Sequence, residues 1–116
     1  MTESKLRQLS MQFAVEILKT TETIKGHYSI KNQLERAATS IGANIYEANY
    51  AQSRADFVSK LQIALKECHE TAYWLELLEK TDIIKIEVIK PLQDSCGTIR
   101  RILISSINTT KRNENK

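Results

Sequence analysis

The segment from Gln33 to Tyr50 constrains the fold most, because it carries two helical stripes side by side. Its apolar residues recur at spacings of three and four, which places them on one face of an α-helix. These residues are Leu34, Ala37, Ala38, Ile41, Ile45 and Ala48. The short residues of this segment let a neighbouring helix approach more closely than the usual ~8–10 Å between helix axes, and they are Ala37, Ala38, Gly42, Ala43 and Ala48. The segment therefore predicts a helix that packs tightly against other helices.

A polar stripe with the same spacing runs along the edge of this apolar face. It consists of Gln33, Arg36, Ser40, Asn44 and Glu47. Further along the chain, Glu67 and Glu70 share one face of the next predicted helix, so pairing across the two helices is geometrically available. The cluster is either a binding or catalytic site, or a hydrogen-bonded network that sets helix register or subunit contacts. We favour the network.

The composition favours one mostly helical domain. At 116 residues the chain can bury a single core, and its one Pro and three Gly are too few for the frequent turns of an all-β fold. The predicted helices run from Ser4 to about Lys25, from Ile30 to about Tyr50, from Ser53 to about Lys80 and from Ile86 to about Thr109. We expect an all-α fold, an antiparallel up-down-up-down four-helix bundle over residues 1–110, with a flexible basic tail over residues 111–116.

The ends of these helices differ in how clearly they are marked. Ser29 is the expected cap of the second helix, and Ser53 with Asp56 has capping-box spacing at the start of the third. Residues 83–89 have the composition of a short β-strand, but a lone strand would have no partner. Pro91 either kinks the fourth helix or marks its true first turn. The polar run from residue 108 onward is expected to fray.

Several apolar residues lie outside the stripes assigned to the core. They are Ile63, Tyr73, Trp74, Leu77, Ile102, Ile104 and Ile107. In a monomer they would form exposed patches, which usually indicate an interface, so we predict self-association. Tyr73, Trp74 and Leu77 are the expected interface anchors. Because Trp74 lies beside Leu75 within a long helix, this role is favoured over stacking on a nucleic-acid base.

The charge of the chain suits an anionic partner without requiring one. The formal net charge is +3 and the pI is about 8.9. Candidate contacts to nucleic-acid phosphates are Lys60, Lys66, Arg100, Arg101, Lys111 and Arg112. Such binding would weaken steeply with salt and show little sequence preference. The alternative is that these cations only keep an oligomer soluble.

The two cysteines and the N-terminus indicate the compartment. Cys68 and Cys96 have neither CxxC nor CxxH spacing and are interpreted as buried small apolar residues. The N-terminus lacks the apolar core of a signal peptide, and no apolar run approaches the ~18 residues of a membrane span. We expect a soluble, cytoplasmic protein with no membrane partner.

A di-metal carboxylate site is the main enzymatic alternative for a helical bundle. Glu47, Glu67 and Glu70 supply carboxylates, but His69 follows Glu67 at two residues instead of the three that place both on one face. For nucleophilic catalysis, no Ser or Cys has a base suggested by spacing, and a glycine-rich phosphate loop is absent. We therefore expect no catalytic residue, no metal and no cofactor.

The chain resembles a known family in two motifs, ERAATSIGANIYEA at residues 35–48 and AQSRADFVSKLQIALKECHETAYWLELL at residues 51–78. The family comprises four-helix-bundle proteins encoded within intervening sequences of bacterial large-subunit ribosomal RNA genes. It is similar to the accessory variability determinant proteins of diversity-generating retroelements. Polar positions match as well as apolar ones, among them Arg36, Ser40, Asn44, Glu47, Glu67, Glu70 and Trp74.

The resemblance implies a homopentameric barrel of bundles without an established catalytic activity. The implied partner is RNA or DNA, or an enzyme that acts on nucleic acid. The alternative is a structural adaptor that recruits a protein such as a reverse transcriptase and has no nucleic-acid affinity of its own.

Overall fold

A computed structural model describes residues 2–114 of the chain. Four α-helices follow one another, α1 Thr2–Thr21, α2 Tyr28–Ala48, α3 Arg54–Lys80 and α4 Ile86–Glu114. Each helix packs against its neighbours in sequence, and α1 also packs against α4, so the four surround one core. The described residues contain no β-strand, so the strand alternative for residues 83–89 is wrong and the all-α prediction is confirmed.

Contacts between α1 and α2 run in opposite orders along the two helices. Arg7, near the start of α1, lies over the ring of Tyr46, near the end of α2. Thr21, the last residue of α1, donates a hydrogen bond to Glu35 in the first half of α2. The helices therefore lie side by side along an elongated body of 51 × 20 × 19 Å.

The core consists largely of the residues that the apolar period predicts. All six apolar positions of the α2 stripe are buried, and so are Ile89, Leu92, Cys96, Ile99 and Leu103 of α4. Leu18 of α1 is 47% exposed because the adjacent Ile17 takes the inward position. One prediction is wrong. Ile107, expected outside, is 5% exposed because it follows the buried Leu103 by four residues on the same helix face.

Threonine hydroxyls end α1 earlier than the apolar period indicates. The helix stops at Thr21, whose Oγ1 donates to the Leu18 carbonyl at 3.2 Å, and Thr23 Oγ1 donates to the Thr20 carbonyl at 2.7 Å. These carbonyls also accept the backbone amides of Glu22 and Thr23, and the added side-chain bonds compete with continuation of the helix. At the other end α1 begins at Thr2, so residue 4 lies within its first turn and is not a cap.

The chain reverses before α2 through two left-handed residues. Gly26 has φ of 74° and His27 has φ of 54°, and His27 occupies the N-cap position without a side-chain cap hydrogen bond. The glycine suits this turn because it lacks the Cβ that penalises a left-handed backbone. Ser29 lies inside the first turn of α2, so its predicted capping role is wrong.

The predicted start of α3 is confirmed in atomic detail. Ser53 has an extended backbone, and its Oγ accepts a hydrogen bond from the Asp56 amide at 3.0 Å. Asp56 Oδ2 in turn accepts from the Gln52 amide at 3.2 Å. Two amide groups at the helix start are therefore satisfied by side chains.

The fourth helix begins at the predicted Ile86 and continues beyond the predicted end. Pro91 lies inside it, after the first turn. The helix extends to Glu114 because Ile107 anchors its last turns to the core and Thr110 Oγ1 bonds back to the Ser106 carbonyl at 2.8 Å. The expected frayed run is thus helical through residue 114, and residues 115–116 lie outside the described residues. Among the helices described, none has the length and apolar character that crossing a membrane requires.

Candidate functional site

An ion cluster joins α2 to α3 at the bundle surface. Arg36 Nη1 lies 3.3 Å from Glu67 Oε2, and Arg36 Nη2 pairs with the carboxylate of Glu70. The indole nitrogen of Trp74 donates to the same Glu70 carboxylate at 3.0 Å. We call these four residues the α2–α3 cluster. The structure thus brings together Arg36, Glu67 and Glu70, which the stripe spacing had placed on facing helices.

The pKa values of the cluster follow from these hydrogen bonds. The hydrogen bond from Arg36, followed by that from Trp74, lowers the pKa of Glu70. The same contact with Glu70 raises the pKa of Arg36. The Arg36 side chain is 47% exposed, so solvent screens the pair. The Arg36–Glu70 pair therefore keeps its charges at neutral pH and links the two helices at a solvent-accessible position.

The other predicted network residues are not joined to this cluster. Lys60 Nζ pairs with Glu47 Oε1 at 2.9 Å, which makes a second contact between α2 and α3. Between the two contacts, Asn44 Nδ2 donates to the Ser40 carbonyl at 2.8 Å within α2 itself. The polar stripe is therefore two separate cross-helix contacts with a local bond between them.

The geometry of the carboxylates does not fit a di-metal site. Glu67 and Glu70 are both engaged by Arg36, and Glu47 lies about 16 Å along α2 from Arg36 at 1.5 Å per residue. His69 points to solvent. Among the described residues, no group of three or more His, Cys, Asp or Glu side chains could hold a metal ion.

The expected interface anchors form a patch on the outer face of α3. The rings of Tyr73 and Trp74 meet edge to face with centroids 5.0 Å apart. Tyr73 is 58% exposed and Ile63 is 40% exposed, while Trp74 and Leu77 are half-buried. We call Ile63, Tyr73, Trp74 and Leu77 the α3 outer face. It is a partly exposed apolar surface beside the ion cluster.

A second apolar surface lies in a groove between α1 and α2, with a volume of about 1270 Å³. We call it the α1–α2 groove. Its apolar lining consists of Met11, Ala14, Val15, Leu18, Gly42, Ala43 and Tyr46. Met11 is 65% exposed. Sequence reasoning missed the groove, although Met11, Val15 and Leu18 recur at spacings of four and three and thus form a second apolar stripe on α1.

One end of the groove is aromatic and cationic. The guanidinium of Arg7 lies 4.7 Å from the centroid of the Tyr46 ring. The Tyr50 ring is 5.3 Å from that of Tyr46, and Tyr50 is 68% exposed. Tyrosine and arginine are enriched in protein interfaces, and aromatic rings beside cations also bind nucleic-acid bases. This end of the groove thus has chemistry that either kind of partner uses.

The six candidate phosphate contacts are divided between two helices. Lys60 and Lys66 lie on α3, and Arg100, Arg101, Lys111 and Arg112 lie on α4. Lys60 is paired with Glu47, and Arg100 is half-buried beside α3. The other four are exposed and make no ion pair with a carboxylate among the described side chains. They are the cations available to a phosphate backbone.

The chain is similar to one family of known proteins. The family model described as 23S rRNA-intervening sequence protein matches residues 2–105, which include α1 to α3 and most of α4. A crystal structure of a protein of unknown function from the S23 ribosomal protein family of Bacteroides thetaiotaomicron is 42% identical, with a TM-score of 0.87. The alignment covers 93% of this chain and 99% of that chain. No curated protein matches.

Proposed function

Since the chain belongs to the 23S rRNA-intervening sequence protein family, whose model spans residues 2–105, we propose that it acts as a non-enzymatic, homo-oligomeric bundle that binds nucleic acid in the cytoplasm. The proposed scaffold is an antiparallel up-down-up-down bundle, supported by the opposite order of the contacts between α1 and α2. Five copies is the number that the resemblance implies. No catalytic residue, metal or cofactor is part of the proposal.

The observation that best supports self-association is that the chain has two different uncovered apolar faces. The α1–α2 groove is concave, with Gly42 and Ala43 among its lining residues. The α3 outer face presents the ring of Tyr73 at 58% exposure. Contact between unlike faces of two copies is head-to-tail, and such contacts close into rings when the rotation permits. A ring covers both faces in every copy, whereas a symmetric pair built on one face leaves the other exposed.

The test uses one disrupting charge on each face. Val15→Glu alters the groove and Tyr73→Glu alters the α3 outer face. We expect each variant alone to sediment as a monomer at micromolar concentration. An equimolar mixture forms a dimer, because the intact groove of one variant still accepts the intact outer face of the other. Asn108→Glu, an exposed α4 position outside both faces, is the charge control and retains the wild-type assembly.

Three outcomes would contradict self-association through these faces. A wild-type protein that sediments only as a monomer ends the proposal. If the wild type assembles and both variants keep its oligomeric state with wild-type circular dichroism, the assembly uses other surfaces. If the mixture of variants stays monomeric, the two faces are not partners of each other.

Nucleic-acid binding is supported by the charge and by the cations left exposed. The net charge is +3, and Lys66, Arg101, Lys111 and Arg112 are exposed to solvent. A closed ring repeats this set in each copy, so weak individual contacts to phosphates add up. The family description ties these proteins to ribosomal RNA genes, which favours RNA as the first ligand to test.

The binding test measures affinity for RNA, duplex DNA and single strands across a salt series. We expect the logarithm of the binding constant to fall linearly with the logarithm of salt, with a slope of about 0.7–0.9 per phosphate contacted. The test variant removes three exposed cations by Arg101→Gln, Lys111→Gln and Arg112→Gln. The matched control removes three other exposed cations by Lys19→Gln, Lys25→Gln and Lys85→Gln. The test variant should bind more weakly and with a shallower slope than the control.

A second candidate function is a structural adaptor that recruits a protein, such as the reverse transcriptase of a retroelement. The α1–α2 groove favours it, because a predominantly apolar groove suits an amphipathic helix of another protein. The adaptor has no nucleic-acid affinity of its own. Absence of binding to any nucleic acid at the lowest salt would favour this function over the first.

A further inference from the structure

The two cysteines of the chain meet between α3 and α4, although 28 residues separate them. Both are buried, with 1% of Cys68 and 3% of Cys96 exposed. The Sγ atom of Cys96 donates to the backbone carbonyl of Cys68 at 3.5 Å. The fold thus holds both thiols as a pair in the core, where no disulfide joins them.

A crevice between α3 and α4 leads to one of these thiols. It has a volume of about 310 Å³, and Cys96 lines it together with Gly97 and Arg100. Because Gly97 has no side chain, this part of the α4 surface stays open. The volume exceeds by several-fold the ~30 Å³ share of one water molecule, so a small polar oxidant fits. Cys68 is not among the residues that line the crevice.

The surroundings shift the pKa values of the two thiols in opposite directions. The hydrogen bond between them lowers the pKa of Cys96, and the positive charge of Arg100 acts in the same direction. The same bond, together with burial, raises the pKa of Cys68 well above its ordinary value. Cys96 is therefore the thiol that forms a thiolate and meets a reagent first, while Cys68 stays protonated beside it.

We propose that Cys68 and Cys96 form a dithiol site that small hydroperoxides oxidise to an intramolecular disulfide between α3 and α4. The Cys96 thiolate attacks a peroxide oxygen, the O–O bond breaks, and the hydroxide or alkoxide that leaves takes up the proton that Cys96 released on ionising, which gives water or an alcohol. The Cys68 thiol then attacks the resulting sulfenic sulfur, an S–S bond forms, and the hydroxyl leaves with the Cys68 proton as water. The thiols lose two electrons, which the peroxide gains. This proposal does not depend on self-association or nucleic-acid binding.

The experiment treats the reduced full-length protein with hydrogen peroxide, unfolds it and adds iodoacetamide. We expect an intact mass lower by about 2 Da, the two hydrogen atoms lost to the disulfide, and no alkylation of either cysteine. Peptide mapping should find residue 68 linked to residue 96 within one chain. Two alkylated cysteines after oxidation, or chains linked to each other on a denaturing gel without reductant, would overturn the proposal.

The order of attack is tested with single variants. In Cys68→Ala a sulfenic acid accumulates at Cys96 and is trapped by dimedone, because the resolving thiol is gone. In Cys96→Ala, Cys68 stays unlabelled under the same conditions. Wild-type circular dichroism establishes that each variant is folded, and Cys→Ser versions replace any that is not. Equal labelling of Cys68 and Cys96 in the two variants would overturn the assignment of Cys96 as the attacking thiol.

Discussion

At the scale of single residues, Glu70 is the acceptor that both Arg36 and Trp74 share in the α2–α3 cluster. Its carboxylate accepts from Arg36 across the helix interface and from Trp74 one turn along its own helix. Both donors bond to the charged form, which lowers the pKa of Glu70. A lowered pKa contributes stability that is fully present above the unfolded value of ~4.3 and is lost as pH falls through the folded-state pKa.

We expect Glu70→Gln to lower the free energy of unfolding by about 1 kcal/mol at pH 7, because the neutral amide loses the ion pair with Arg36. As the pH falls from 7 toward 3, the wild-type carboxylate progressively takes up a proton, so the difference should shrink. Urea unfolding of both proteins at the two pH values measures this. Glu76→Gln, an exposed change on the same helix, is the control. If the difference in the free energy of unfolding between the wild type and Glu70→Gln is the same at pH 3 as at pH 7, the charge of Glu70 is not the cause of that difference.

At the scale of helices, the two serines expected to cap α2 and α3 have different outcomes. Ser53 has the extended backbone of an N-cap and accepts from the Asp56 amide. Ser29 is already inside α2, because the left-handed turn through Gly26 and His27 starts that helix two residues earlier than predicted. A serine therefore caps the start of α3, whereas the serine near the start of α2 does not cap that helix.

Ser53→Ala should lower the free energy of unfolding by about 1 kcal/mol, since the Asp56 amide loses its acceptor. Ser29→Ala is the matched control, and we expect a change within about 0.5 kcal/mol because the residue is exposed and does not cap. Chemical denaturation of the two variants under identical conditions compares them. Equal losses would show that Ser29 has a capping role that its position in the helix does not indicate.

At the scale of the whole molecule, assembly and stability are linked. If the α1–α2 groove and the α3 outer face bind each other between copies, the folded state is stabilised by mass action. We expect the melting temperature of the wild-type protein to rise with protein concentration. The melting temperature of the Val15→Glu variant should not depend on protein concentration. Calorimetry over a hundredfold range of concentration measures this, and a concentration-independent wild-type transition would argue against a stable oligomer.

Helical spacing in the sequence predicts some contacts of the candidate site and not others. Arg36, Glu67 and Glu70 could be predicted to meet, because helical spacing places them along facing stripes and their charges are opposite. The pairing of Lys60 with Glu47 could not be predicted, and Lys60 had been assigned to phosphate binding. Which cation remains free depends on the axial register of α2 against α3, and core packing sets that register.

The amino-acid sequence by itself determined the inward face of α2, because the 3.6-residue period is a local property that its apolar residues satisfy within one element. It also determined the start of α3, where Ser53 and Asp56 act within a single turn. Only the tertiary structure decided the surfaces shared by two helices. The groove forms only when the second apolar stripe of α1 lies beside Gly42 of α2. The thiol pair forms only when two residues that are 28 positions apart in the sequence lie at the same height along α3 and α4. Neither arises until side-by-side packing sets helix rotation and register together.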